Sequence, residues 1–177
     1  DRDGRSMPGS NLPLAMLGAL MLMFGWFGFN GGSTLSFDGR VPGIIANTVL
    51  AAIAGTLGGM VMSWWRWRLV DPVYPLNGMI AGMVAITAGA HVMDAPAAFF
   101  VGLVGAVVMY LADRLLNHLR IDDAVGAVPV HLASGIWGTL AVALFANLQT
   151  LGTGLSRTQQ LVAQLEGVVV AGLWAFG

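Results

Sequence analysis

The sequence contains no cysteine and no lysine, and it holds little charge of either sign. Without thiols, disulfides and thiolate metal sites are excluded. Without lysine, every fixed cation is an arginine. Charged residues make up 10% of the chain and hydrophobic ones 56%, where a soluble domain carries about 25% charged residues. With a mean hydropathy of +0.76, such a chain cannot dress a water-facing surface. The net charge of -1 suggests no nucleic-acid partner. Gly-rich phosphate loops, serine-nucleophile elbows and paired catalytic carboxylates are also missing. None of these motifs therefore points to an enzyme or a cofactor. Its three histidines lack metal-ligand spacing, so no metal site is expected.

What is present is apolar sequence, punctuated by charge. No charged residue occurs from Ser6 to Phe37, Val41 to Trp65, Pro72 to Met93, Ala95 to Ala112, or Ala124 to Ser156. Each gap can hold a helix of roughly 18–25 residues, the length that crosses about 30 Å of hydrocarbon. A further apolar run begins near Gln160 and is interrupted only by Glu166. The expectation is an all-α membrane protein, a polytopic bundle with spans near 11–33, 42–65, 73–92, 96–116, 125–147 and 160–177. The first residues are polar and show no secretory signal. The chain opens on Asp1 and closes in an apolar run, from which a fragment is expected.

Arginine placement gives an orientation. Arg2, Arg5, Arg66, Arg68, Arg114 and Arg120 fall on one side of the spans, Arg40 and Arg157 on the other. The arginine-rich side is expected to be cytoplasmic, within a multi-pass protein of the cytoplasmic membrane. That puts Asn30–Ser33 near the outer face and the tryptophans of Trp64–Arg68 at the inner interface. Gly55–Gly59, Gly78–Gly82 and Ser134–Gly138 are small-xxx-small pairs that let helices approach closely. Asp122-Asp123 suits the start of span five, where a carboxylate meets the positive end of the helix dipole.

Two features inside the apolar runs invite a functional reading. His131 lies early in span five among Val128, Pro129, Val130 and Leu132. Ionisable residues at membrane depth are rare and usually face a bundle interior or cavity. Desolvation disfavours the charged ring. A neutral imidazole offers one donor and one acceptor, which can guide a small polar molecule through an apolar pore. The alternative is a structural histidine bonded to a neighbouring helix. The second feature is Trp26-Phe27-Gly28-Phe29-Asn30-Gly31-Gly32-Ser33. Helical spacing puts Trp26, Phe29 and Ser33 on one face. Aromatic rings can attract a cation and the hydroxyl can add a hydrogen bond; the alternative is an interfacial belt with core packing. His91, near Asp94, and His118, near Arg114 and Arg120, read as interfacial.

These blocks resemble the ammonium transporter (Amt/Rh) family. Asn11-Leu12-Pro13 and Gly25 to Ser33 are similar to its sixth helix. Asn47-Thr48 and Leu76-Asn77-Gly78-Met79-Ile80-Ala81-Gly82 resemble the next two spans. Asp122-Asp123, Val128-Pro129-Val130-His131 and Gly135-Ile136-Trp137-Gly138 resemble the tenth, and Gln160 to Glu166 the start of the eleventh. The resemblance implies the second half of an eleven-helix inverted-repeat fold, assembled as a homotrimer with one pore per subunit. It implies ammonium or ammonia as substrate, and possible partnership with a PII-type regulatory protein. It maps Ser33 to the outer recruitment site, Phe29 to the phenylalanine gate, Trp26 beside it, and His131 to the second of twin pore histidines. The first histidine belongs to the other half of the family fold. Leu132 stands where glycine is frequent. Some family members are fused to signalling modules, so an ammonium-sensing input domain is the alternative function.

Overall fold

A computed structural model describes residues 11–177. Arg2 and Arg5, counted in the arginine asymmetry, lie outside the described residues. The chain forms α1 (Leu12–Gly32), α2 (Val41–Trp67), α3 (Val73–Thr87), α4 (Ala95–Leu119), a π-helical segment (Val128–Ala133), α5 (Ser134–Phe145), the short α6 (Leu148–Leu151) and α7 (Arg157–Phe176). Among the described residues there is no strand.

Local chemistry starts and stops these helices. The Asn11 side chain accepts from the Leu14 amide at 2.9 Å, with Pro13 in the first turn. Asp94 does the same for Ala97 at 2.9 Å. Such caps satisfy amides that have no partner within the helix. Ser156 and Gln159 form a reciprocal capping box at the start of α7. The α2 and α4 helices close on Arg68 and Arg120, both in the left-handed region at φ 57° and 55°. Asp123 uses both carboxylate oxygens, on the amides of Ala127 (2.9 Å) and Val128 (2.8 Å), so the expected capping acid is the second of the pair. Arg157 donates at 3.0 Å to the carbonyls of Ala143, Leu144 and Ala146. A cation there meets the negative end of α5.

The packing reverses the water-soluble pattern. Many buried apolar positions are small: Ala51, Ala54, Ala81, Ala85, Ala98, Ala106 and Ala141 are 0% exposed. Large apolar side chains such as Leu14, Met21, Phe24, Leu111, Leu115 and Leu173 point outward. Lipid is as apolar as leucine, so association depends on close backbone packing. The α2–α3 contact shows it. A Cβ added at Gly55 would strike the Gly78 carbonyl, one at Gly78 the Gly55 carbonyl, and one at Gly82 the Ala51 carbonyl. Ser134 and Gly138 serve α5 likewise: the Ser134 hydroxyl donates to the Gly105 carbonyl at 3.2 Å, and a Cβ on Gly138 would strike Ala85.

Among the described residues, four segments are long and apolar enough to cross a membrane: Leu12–Gly32, Val41–Trp67, Ala95–Leu119 and the continuous Val128–Phe145. The protein is a multi-pass helical membrane protein. Within the expected span 73–92, helix α3 covers 15 residues, about 22 Å at 1.5 Å per residue. The chain then turns, and the buried Asn47 amide donates to the carbonyls of Ala90 (3.0 Å) and Met93 (2.8 Å). Those bonds satisfy backbone acceptors of the turn that joins α3 to α4.

Candidate functional site

The C-terminal half of α1 is fixed by two side-chain bonds to its neighbours. The indole Nε1 of Trp26 donates to Thr87 Oγ1 on α3 at 2.9 Å. Thr87 can accept because its own proton goes to the Met83 carbonyl at 2.7 Å. One turn on, Asn30 Nδ2 donates to Thr48 Oγ1 on α2 at 3.0 Å, while Thr48 donates to the Ile44 carbonyl. This sets the orientation of the Asn30 amide. Its Oδ1 is buried and has no hydrogen-bond partner among the described residues.

Phe29 packs edge-on against Trp26, with ring centroids 6.0 Å apart at 89°, and is 58% exposed. Ser33 follows the last helical residue and is exposed; its hydroxyl donates to the Phe29 carbonyl at 2.6 Å. The hydroxyl oxygen therefore keeps lone pairs for an incoming donor. In the loop beyond, Asp38 pairs with Arg40 at 2.7 Å. Hydrogen bonds from the Arg40 side chain and amide and from Ser36 hold the Asp38 carboxyl well below the usual carboxylate range. This loop therefore presents a compensated pair.

His131 lies in the π-helical segment and is exposed on its surface among the described residues. Pro129 supplies no backbone donor to this segment, and the Ser134 hydroxyl approaches the Pro129 carbonyl at 3.3 Å. Wide π turns of this kind occur often at functional sites.

A stripe on α3 links the two regions. Asn77, Ile80, Val84 and Thr87 recur at helical spacing and are all half-buried. Trp26 of α1 borders the stripe at Thr87. On its other side Gly135 lies against Val84, and Gly126 against the Asn77 amide. Val130 packs with Ala81 and Ile80, which puts His131 near the level of Ile80. The levels of Ile80 and Thr87 are about 10 Å apart at 1.5 Å per residue. The α3 stripe thus meets Trp26 of α1 at Thr87 and the segment from Gly126 to Gly135 at Asn77 and Val84. The stripe bears no formal charge.

The ammonium transporter family profile matches residues 2–177. The chain belongs to the ammonium transporter family. A putative ammonium transporter of Synechocystis sp. is 47% identical over 169 residues, covering 96% of this chain and 31% of the relative. Ammonium transporter Amt2 of Archaeoglobus fulgidus is 39% identical over 190 residues, covering 100% of this chain and 41% of the relative. Among solved structures, a Sensor Amt Protein superposes with TM-score 0.93 at 36% identity, over 100% of this chain and 45% of that one. Mep2 of Candida albicans gives TM-score 0.84 at 32% identity, over 91% and 38%. The chain thus spans less than half the length of these relatives.

The remaining family-like residues fall at defined places. Asn47 and Thr48 are buried joints between helices. His91 is exposed in the turn after α3, His118 in the last turn of α4, and Glu166 on α7. Among the described residues no three His, Asp or Glu side chains converge as metal ligands would. An apolar cleft of about 510 Å³ opens between Phe27, Gly31, Phe37, Val41 and Ile45. None of Trp26, Phe29, Ser33 and His131 lines it. Thr87 and the free Asn30 acceptor escaped the sequence reading. Asn30 was visible within its motif, but nothing local marks Thr87 as the partner of an indole 61 residues away.

Proposed function

We propose that the protein conducts ammonium across the cytoplasmic membrane, with the α3 stripe forming one wall of an apolar pore. The cation is drawn to the outer end by the faces of Phe29 and Trp26 and by the Ser33 hydroxyl. It gives up its proton to water at that mouth, because an ion is disfavoured in an uncharged, apolar passage, and ammonia and the proton cross by separate or coupled routes. Ammonia then moves past Phe29 to His131, whose ring supplies one donor and one acceptor. The family's partner histidine and the remaining pore wall belong to the other half of the fold, and the working unit is a homotrimer open to a PII-type regulator. Arg66, Arg68, Arg114 and Arg120 face the cytoplasm.

The observation that supports this reading is the uncharged α3 stripe of Asn77, Ile80, Val84 and Thr87, bonded to Trp26 at Thr87 and approached by Gly126 and Gly135, which flank His131 in the chain. The family relationship supplies the cargo. Uptake of labelled methylammonium by cells lacking their own transporters tests it: expression of the protein as the cell makes it restores uptake. A second reading, an ammonium-sensing input domain, draws on the likeness to the Sensor Amt Protein. It predicts methylammonium binding to the purified protein with no uptake above empty cells.

A further inference from the structure

The end of α2 carries Trp64-Trp65-Arg66-Trp67-Arg68, and ammonium conduction uses none of it. All three indoles are exposed, Trp65 by 64%. Each arginine lies near an indole face, Arg66 at 5.8 Å from the Trp67 ring centroid and Arg68 at 4.9 Å from that of Trp64. Arg68 is the left-handed residue that closes the helix. That conformation is uncommon for a residue with a Cβ.

Neither guanidinium has a carboxylate within 4.0 Å among the described residues. Three of the acids at this end of the bundle have other partners, while Asp122 has no side-chain bond among the described residues and lies within 4.0 Å of neither guanidinium. Asp71 accepts from the Val73 amide at 3.0 Å, Asp113 from the Tyr74 hydroxyl at 2.8 Å, and Asp123 from two amides. Two uncompensated planar cations therefore flank exposed indoles at the end of a membrane-crossing helix. Exposed tryptophans of this kind lie at the headgroup level of a bilayer. A guanidinium stacked on a ring keeps its in-plane N–H groups for an anion, and its fork matches phosphate oxygens.

We infer that Trp64–Arg68 binds the phosphate of an anionic phospholipid headgroup, with Arg66 and Arg68 taking the oxygens and the indoles lying along the glycerol and upper acyl chains. This goes beyond an aromatic belt, which would accept any lipid. It rests on the membrane character of the chain and is independent of what the pore conducts.

Native mass spectrometry of the purified protein in neutral detergent tests it, with phosphatidylglycerol and phosphatidylcholine supplied at equal concentration. The wild type is expected to retain phosphatidylglycerol preferentially. Arg66→Gln with Arg68→Gln should weaken that retention about 30-fold, roughly fivefold per arginine near an anionic surface, and leave phosphatidylcholine unchanged. If the double variant does not fold, each single variant should show the fivefold loss. Arg120→Gln removes an equal charge from the same end and should keep the preference. Millimolar inorganic phosphate should not displace the lipid. Equal retention of the two lipids by the wild type overturns the site. So does a loss shared by Arg120→Gln, which would indicate diffuse surface charge. Displacement by inorganic phosphate would mean a free-anion site instead.

Discussion

At the residue scale, the outer site depends on donors and acceptors that are nearly all committed. Thr87 is at once a donor to Met83 and an acceptor from Trp26. Thr48 has the same double role between Ile44 and Asn30. Such hydroxyls fix a large ring or an amide at the cost of few atoms. Thr87→Val keeps the shape and removes both bonds, stranding the half-buried indole N–H. An unpaired donor costs about 1–3 kcal/mol, so thermal unfolding of the purified variant should show a clear fall in midpoint. An unchanged midpoint would mean that Trp26 is held by packing alone. The free Oδ1 of Asn30 is the exception to this accounting. It stands beside Phe29 in sequence and one turn from Trp26, buried at 4% residue exposure.

At the element scale, glycine and alanine determine how closely the helices lie. Gly55→Ala should be costly, because the added methyl would meet the Gly78 carbonyl and not a yielding side chain. Overpacking of this kind costs typically about 1–3 kcal/mol. Gly167→Ala on α7 meets nothing within 4 Å, and there alanine's helix preference is worth about 0.5–1 kcal/mol. Thermal midpoints should therefore move in opposite directions; a common direction would contradict the α2–α3 contact. The helices themselves were largely legible in the sequence. Arg40, Asp94 and Ser156, each at the edge of an apolar run, stand immediately before α2, α4 and α7. The end of α3 was not legible, since it is held by Asn47, a residue 43 positions away from Ala90. Nor was the π-helical segment, because Pro129 reads equally well as an ordinary first-turn proline. Which face each helix presents was hidden for a physical reason: apolar residues cover every side, so periodicity carries little information. Trp26, Phe29, Ser33 and His131 were therefore chosen by residue type and resemblance, and the bond from Trp26 to Thr87 of α3 was not legible from them.

At the scale of the whole molecule, the helix ends sort into two levels. The loop after α1, the turn after α3 and the α5–α6 junction belong to one end, where Asn147 donates its amide to the Val92 carbonyl at 2.8 Å. The loops at Arg68–Pro72 and Arg120–Ala127 belong to the other. If arginine asymmetry holds, the second end is the cytoplasmic one. Cysteines introduced at Trp67 and Asn117 should then resist an impermeant thiol reagent in intact cells, while one at Asp38 should react; the reverse pattern would invert the topology. The central claim is that His131 lines a conducting pore. The most direct test measures methylammonium uptake, selectivity against potassium and thermal stability on one purified His131→Ala variant reconstituted in vesicles. The account predicts a protein that unfolds near the wild-type temperature with altered uptake or selectivity. A strongly destabilised variant whose surviving fraction transports with unchanged rate and selectivity would contradict it, and would make His131 a structural residue.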